Sequence, residues 1–173
     1  TRTAVGDENS SEQKLQSVTA ITVLYVFSGV KRKASMAELM RSIAKKISIT
    51  IEVHEWDVEN GEEYDLTDDS KWNALLRRIR NGDFHAVYWS PPCSTFSHCR
   101  SDYDRGPRPL RGGEGKERYG RSDVKLTDTE KESLRIGTLL ALRTAAGIST
   151  CNELGIGWPL ENPPHKPGKP RLA

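Results

Sequence analysis

The chain has 173 residues, the length of one domain and enough to bury a core of its own. Its 26 Lys and Arg nearly balance 24 Asp and Glu, leaving a formal charge of +2, so overall charge selects no partner. The 3 cysteines, an odd number, exclude a fully paired disulfide framework, and no apolar run reaches membrane-spanning length. With no secretory leader in view, the sequence reads as a soluble intracellular protein with free thiols and no membrane partner.

Residues 1–18 are mostly polar and charged and read as a disordered arm ahead of a folded domain over 19–164. Residues 20–27 (AITVLYVF) form a continuous β-branched and aromatic run, the mark of a buried parallel strand, which stops at Ser28-Gly29. Over 34–47, Met36, Leu39, Met40, Ile43, Ala44 and Ile47 recur at helical spacing. Ile47, Ile49, Ile51 and Val53 then alternate, which predicts a second strand with an acidic end, Glu55-Trp56-Asp57. A short third strand is expected over 62–66. Trp72, Leu75, Leu76 and Ile79 share one helical face closed by Asn81-Gly82, and 84–89 is the next strand.

The segment 100–125 is glycine-rich and basic, and predicts a flexible loop suited to an anionic partner such as nucleic acid. Between Arg100 and Arg121 it holds seven basic residues against four acidic ones. Thr127-Asp128-Thr129-Glu130 is a capping box opening a helix to about Ala146. Trp158-Pro159-Leu160 is the last apolar segment, and 165–173 reads as a disordered basic tail. Strands alternating with helices predict an α/β fold: an open, mainly parallel, Rossmann-like sheet of about five strands flanked by helices.

Chemistry concentrates where strands end. Open α/β sheets bind ligands at the carboxyl ends of their strands. The first junction, Phe27-Ser28-Gly29-Val30, has a glycine that permits close backbone approach, followed by the cations Lys31-Arg32-Lys33. The second offers Glu55 or Asp57 as an acceptor for ribose hydroxyls, and Asp65 follows as a group able to hold a base edge. The third is Ser90-Pro91-Pro92-Cys93-Ser94-Thr95-Phe96-Ser97. Two prolines fix φ and donate no N–H, so the chain leaves the sheet stiffly and then presents a thiol. Glu161-Asn162-Pro163-Pro164 forms a similar junction 68 residues after Cys93. A thiolate can attack C6 of a cytosine if charge at N3 is relieved, and Glu161 is the right type of acid for that relief. In an enclosed apolar pocket its pKa would rise. Cys93, His98 and Cys99 match no common zinc-ligand spacing, so no metal is expected.

Phe27-Ser28-Gly29, Glu55-Trp56-Asp57, Asp65-Leu66, Ser90-Pro91-Pro92-Cys93 and Glu161-Asn162-Pro163 stand in an order that resembles the catalytic domain of the cytosine-C5 DNA methyltransferases. The likeness is greatest to the compact methyltransferase-like reading frames of phages and mobile elements, and covers residues 21–164. It implies a methyltransferase sheet with S-adenosylmethionine lying across Phe27, Ser28, Gly29 and Val30 and against Pro91. Its ribose would rest on Asp57 or Glu55 and its adenine near Asp65. Cys93 would be the nucleophile on a flipped cytosine and Glu161 its N3 partner. Ser94, Ser97, Arg100, Arg105, Arg108 and Arg111 would contact DNA, with RNA an open alternative.

The chain departs from the family in putting Lys31-Arg32-Lys33 where a second glycine is usual. It also stops nine residues after Pro164, so the expectation is a reduced or partial domain that another domain or chain completes. Two other readings stay open: an inactive nucleic-acid-binding module on a degenerate methyltransferase fold, and an amino-methyltransferase of the Ser-Pro-Pro type.

Overall fold

The computed structural model describes residues 20–97, 99–100 and 106–162. The arm expected over 1–18 and the tail over 165–173 lie outside them. Three parallel strands form the sheet: β1 (Ile21–Val26), β2 (Ile51–Trp56) and β3 (Ala86–Trp89), in the order β2-β1-β3. Helix α1 (Met36–Lys46) connects β1 to β2. Helix α2 (Asp69–Arg80) precedes β3, and the long α3 (Asp128–Leu154) follows it. The α/β class expected from sequence is therefore present, as an open parallel sheet flanked by helices, but with three strands among the described residues rather than five.

Side-chain alternation sorts the sheet into two faces. Leu24 and Val26 of β1, with Val87 and Trp89 of β3, point into one core with Trp72, Leu75 and Ile79 of α2 and Leu140 and Cys151 of α3. Tyr25 and Val53 point the other way, against Ala37 of α1. Helices thus cover both faces, as a parallel sheet with two apolar faces requires.

Of the expected strands, that over 62–66 is absent and the last, at Trp158-Pro159-Leu160, is only rudimentary, each for a local reason. Residues 62–66 instead make a 3-10 turn, Glu62–Tyr64, leading into a side-chain turn. There Asp65 Oδ1 accepts both the backbone N–H and the hydroxyl of Thr67, each at 2.8 Å, which competes with ladder pairing. Residues 157–160 do run parallel beside β3, with bridges Ala86–Gly157 and Trp89–Leu160. Val87 N donates to Gly157 O and Trp89 N to Pro159 O, both at 3.0 Å. Pro159 has no N–H to extend a regular ladder, so the fourth strand stays rudimentary.

Alternation at Ile47 and Ile49 also misled, since Ile47 is the C-cap of α1 and Ser48 turns at φ 57°. The second strand begins only at Ile51.

Helix α3 runs past the expected end at Ala146, to a left-handed Gly155 at φ 68°. It can do so because Gly147 lets it pass over the fully buried Trp89: a Cβ there would lie 2.3 Å from Cη2 of the indole. At its start the capping box is complete, with Thr127 Oγ1 accepting from Glu130 N and Glu130 Oε2 accepting from Thr127 N. Arg108 grips the same carboxylate at 2.9 and 2.5 Å. Arg143, which is buried, ties α3 to the start of α2 through Leu66 O, Asp68 O and Asp69.

Gly147→Ala forces a methyl into Trp89 and is expected to cost about 1–3 kcal/mol, as overpacking does, read as a lower urea midpoint with unchanged slope. Hydrogen bonds from Arg108 and then from the Thr127 N–H pull the Glu130 carboxyl down to about 2. A depressed carboxylate stabilises above its unfolded pKa of roughly 4.3 and loses that contribution as pH falls through the folded value. Glu130→Gln should therefore lower the melting temperature at pH 7, with the gap from wild type shrinking below pH ~4 and closing near pH ~2.

Candidate functional site

The three strand ends expected to carry chemistry converge on one edge of the sheet. At the end of β1 the chain turns through Phe27, at φ 62°, and Gly29, at φ 70°. The first is a sterically costly left-handed conformation for a residue with a side chain. It is held from below. Gly29 N donates to Asp57 Oδ2 at 2.9 Å, and Glu59 N donates to the other carboxylate oxygen at 2.9 Å. Asn60 completes the tie, donating from Nδ2 to Ser28 Oγ and Gly29 O while its Oδ1 accepts from Lys31 N. The β1–α1 turn and the turn after β2 are therefore one hydrogen-bonded unit. Val30, by contrast, is 56% exposed.

A cavity of about 310 Å³ opens beside this unit. Phe27, Asp57, Asp65 and Pro92 border it, and Ile136 and Leu140 of α3 give it an apolar wall. It lies at the carboxyl ends of the paired strands β1 and β3, where the connections part because β2 flanks β1 on one side and β3 on the other. This is the switch point at which open α/β sheets take ligands. Among the described residues each Asp57 oxygen accepts one hydrogen bond, which leaves a lone pair on each for an incoming hydroxyl. Asp65 is held ionised: the Thr67 N–H and hydroxyl pull its pKa below the usual carboxylate range. Apart from its own chain neighbours, no described atom lies within 4 Å of where a Gly29 Cβ would stand, so the turn presents open space. An apolar wall, an acid at each of two turns and an open glycine suit a nucleoside-bearing cofactor.

Sequence spacing left Asp57 and Glu55 as equal candidates; the fold separates them. Glu55 is two residues earlier on β2 and its side chain is 7% exposed, bonded to Arg41 of α1 at 2.9 Å. The same guanidinium donates to Val53 O at 3.3 Å. Glu55 is thus a partner of α1, and Asp57 is the acid at the cavity. Proline placement also shifts by one residue. Pro91 is buried, and Pro92 borders the cavity. Sequence reasoning passed over Pro92, Tyr64 and the α3 residues Ile136 and Leu140. The last two widen the apolar stripe of α3, and that width is the signal that this side of the helix faces two things.

Cys93 and Glu161 leave neighbouring strand ends. Glu161 N donates to Trp89 O at 2.8 Å, and the Ser90 hydroxyl donates to Glu161 Oε2 at 2.8 Å. The two junctions are therefore bonded to each other directly. Glu161 itself is exposed, not enclosed in an apolar pocket. Tyr25 and Tyr88 lie edge to face beside it, with ring centroids 4.9 Å apart. Burial pushes the Tyr25 hydroxyl above its ordinary range, a hydrogen bond with Ser90 works against that, and the Glu161 charge adds to the rise. Burial and then Glu161 do the same to Tyr88.

Cys93 is exposed, as is Cys99, whereas Cys151 is buried and burial pushes its thiol up, away from reactivity. The Cys93 carbonyl accepts from Phe96 N and Ser97 N at 2.8 Å, closing a tight turn with Ser94 on its exposed side.

Three of the four arginines expected to reach nucleic acid, Arg100, Arg108 and Arg111, make hydrogen bonds within the protein. Arg100 Nε donates to Ser94 O at 2.6 Å and its Nη1 to Arg108 O at 3.0 Å. Arg108 pairs with Glu130 and donates to Lys125 O. Arg111 is 3% exposed and turns inward, because α3 offers it acceptors that water would otherwise have to supply. Arg105 lies outside the described residues. The segment 106–125 is anchored along α3 through Arg108 and Arg111, with a 3-10 turn at Gly115–Tyr119. Among the described residues no helix is long and apolar enough to cross a membrane, and no three His, Cys, Asp or Glu side chains gather as a metal-holding group.

Set against known proteins, the chain matches no family model, no curated protein and no solved structure.

Proposed function

We propose that this chain is an S-adenosylmethionine-dependent cytosine-C5 methyltransferase-like domain acting on DNA. The observation that carries the reading is the cavity at the switch point, bordered by Phe27, Asp57, Asp65 and Pro92, with Cys93 the next residue and Glu161 bonded to Ser90 alongside. Asp57 would accept hydrogen bonds from the ribose hydroxyls, Asp65 would hold the adenine edge, and the Phe27-Ser28-Gly29 turn would lie along the amino-acid end. When bound, the cofactor supplies an electrophilic methyl group.

The chain's own residues prepare the base. The Cys93 sulfur adds to C6 of cytosine, placing an electron pair at C5, while Glu161 holds a proton at N3 that neutralises charge in the ring. Methyl transfer to C5 would release the cofactor as its thioether; loss of the C5 proton to water, cleavage of the C6–S bond and return of the N3 proton to Glu161 would then restore aromaticity and the thiolate. A cytosine stacked in a duplex cannot be approached at C6 in this way, so the target base leaves the helix.

One observation favours a second reading. Lys31, Arg32 and Lys33 are all exposed just after the β1–α1 turn that Asp57 and Asn60 hold. They suit a binding module that holds nucleic acid without turnover, and such binding is salt-dependent and indifferent to cofactor.

Calorimetric titration with S-adenosylmethionine separates the two. Saturable binding is expected, weakened about tenfold or more by Asp57→Ala, in keeping with loss of a charge-assisted hydrogen bond. Gly29→Asp should abolish it, and Glu55→Gln should leave it unchanged. Wild-type protein should then form a denaturant-resistant adduct with 5-fluorocytosine DNA that Cys93→Ser does not. Absence of cofactor binding at millimolar concentration would refute the methyltransferase reading and favour the binding module. Methyl transfer that survives Cys93→Ser would instead favour the amino-methyltransferase.

A further inference from the structure

We propose that Arg111 is the positioning residue of the Cys93 turn, fixing the exposed thiol relative to α3 through Thr95 and Phe96. The inference rests on the reading of Cys93 as the nucleophile. The turn is closed on the Cys93 carbonyl, and the two residues inside it that point into the protein are Thr95 and Phe96, 3% and 7% exposed. Arg111 engages both. Its Nε donates to Thr95 Oγ1 at 3.1 Å, and its guanidinium carbon lies 3.9 Å from the centroid of the Phe96 ring.

The other end of the guanidinium is fixed to the scaffold. Nη2 donates to Leu134 O at 3.1 Å and to Thr138 Oγ1 at 3.0 Å on α3, and Nη1 donates to Arg118 O at 2.7 Å. Helix α3 is shaped to admit this arrangement. A Cβ at Gly137 would lie 2.8 Å from Thr95 Oγ1 and 3.3 Å from Arg111 Nη2, so only glycine lets the turn and the guanidinium rest on the helix together.

Each of these acceptors is neutral. Burial of an arginine among neutral acceptors is costly, and is offset only where its planar fork meets several of them at once. Burial alone draws the Arg111 pKa to about 10, still charged at neutral pH. The consequence is a nucleophile whose sulfur is open to a substrate while the backbone behind it is held from α3. A misplacement of about 1 Å in such a group can cost on the order of a hundredfold in rate.

Site-resolved hydrogen exchange on the whole chain tests the mechanical part without reference to any substrate. In Thr95→Val and Arg111→Met, the Phe96 and Ser97 amides should exchange at least about tenfold faster than in wild type, while those of Val23 to Val26 keep their protection. Thr95→Ser should match wild type, and Arg111→Lys should fall between. Unchanged exchange at Phe96 and Ser97, or a rise shared equally by the β1 amides, would overturn the proposal; Thr95→Val gives this test even if Arg111→Met does not fold. Capture of 5-fluorocytosine DNA then tests the chemical part. Thr95→Val should slow capture at saturating DNA about tenfold with DNA affinity unchanged, and capture at the wild-type rate would sink the positioning role. If wild type captures no DNA while the exchange pattern holds, Arg111 still positions the turn, and the nucleophile assignment is the part that fails.

Discussion

Trp89 is the residue on which the geometry of this molecule turns. Its side chain is fully buried and lies so close to Gly147 that α3 can cross β3 only at that point. Its backbone serves the site at the same time. Trp89 N donates to Pro159 O, and its carbonyl accepts from Glu161 N. The next residue is Ser90, which bonds to the Glu161 side chain and starts the stiff Pro-Pro run to Cys93. One position thus sets how the long helix sits, where the last strand segment docks, and the direction in which both chemistry-bearing junctions leave the sheet. Among the described residues the indole N–H meets only the weakly accepting Cys151 sulfur, a cost that burial of so large a ring offsets.

From that centre the structure divides its labour by face. Helices α2 and α3 meet Leu24, Val26 and Val87 on one side, and the cavity opens at the end of that layer, walled by Ile136 and Leu140. On the other side α1 covers Tyr25 and Val53, and its Arg41 takes up Glu55. The carboxylates near the strand ends therefore have separate duties although they are close in sequence. Basic residues divide in a similar way. Arg100, Arg108 and Arg111 act as fasteners for the Cys93 turn and the segment along α3, while Lys31, Arg32 and Lys33 remain exposed.

Much of this was legible in the order of residues, and the failures have definite causes. The apolar runs of β1 and β3, the helical stripes and the Thr127 capping box are local patterns, and local patterns determined those elements. The strand expected over 62–66 lost to a side-chain turn at Asp65, and the last strand lost regularity to Pro159, whose missing N–H is plain in the sequence but whose neighbour is not. Glu55 and Asp57 differ by two positions, so strand periodicity alone would put them on one face; the chain leaves β2 at Trp56, and only the turn beyond it brings Asp57 to Gly29. Arg111 was the least legible. A cation in a glycine-rich stretch looks solvated, and the acceptors that draw it inward belong to α3, more than twenty residues further on.

The reach of Arg41 to the Val53 carbonyl carries a consequence for how this protein behaves in a crowd. β2 is the outer strand of the sheet, and the carbonyls of Thr50 and Trp56 face inward to β1, so by the two-residue period that of Val53 faces outward. An uncovered outer strand is a template on which another chain can add a strand and begin a fibril. A bulky, hydrated cation laid across the middle of that row, secured by Glu38 and Glu55, occupies the acceptor an incoming backbone would need. The arginine that takes Glu55 out of the ligand site thus also discourages this sheet from growing into its neighbours.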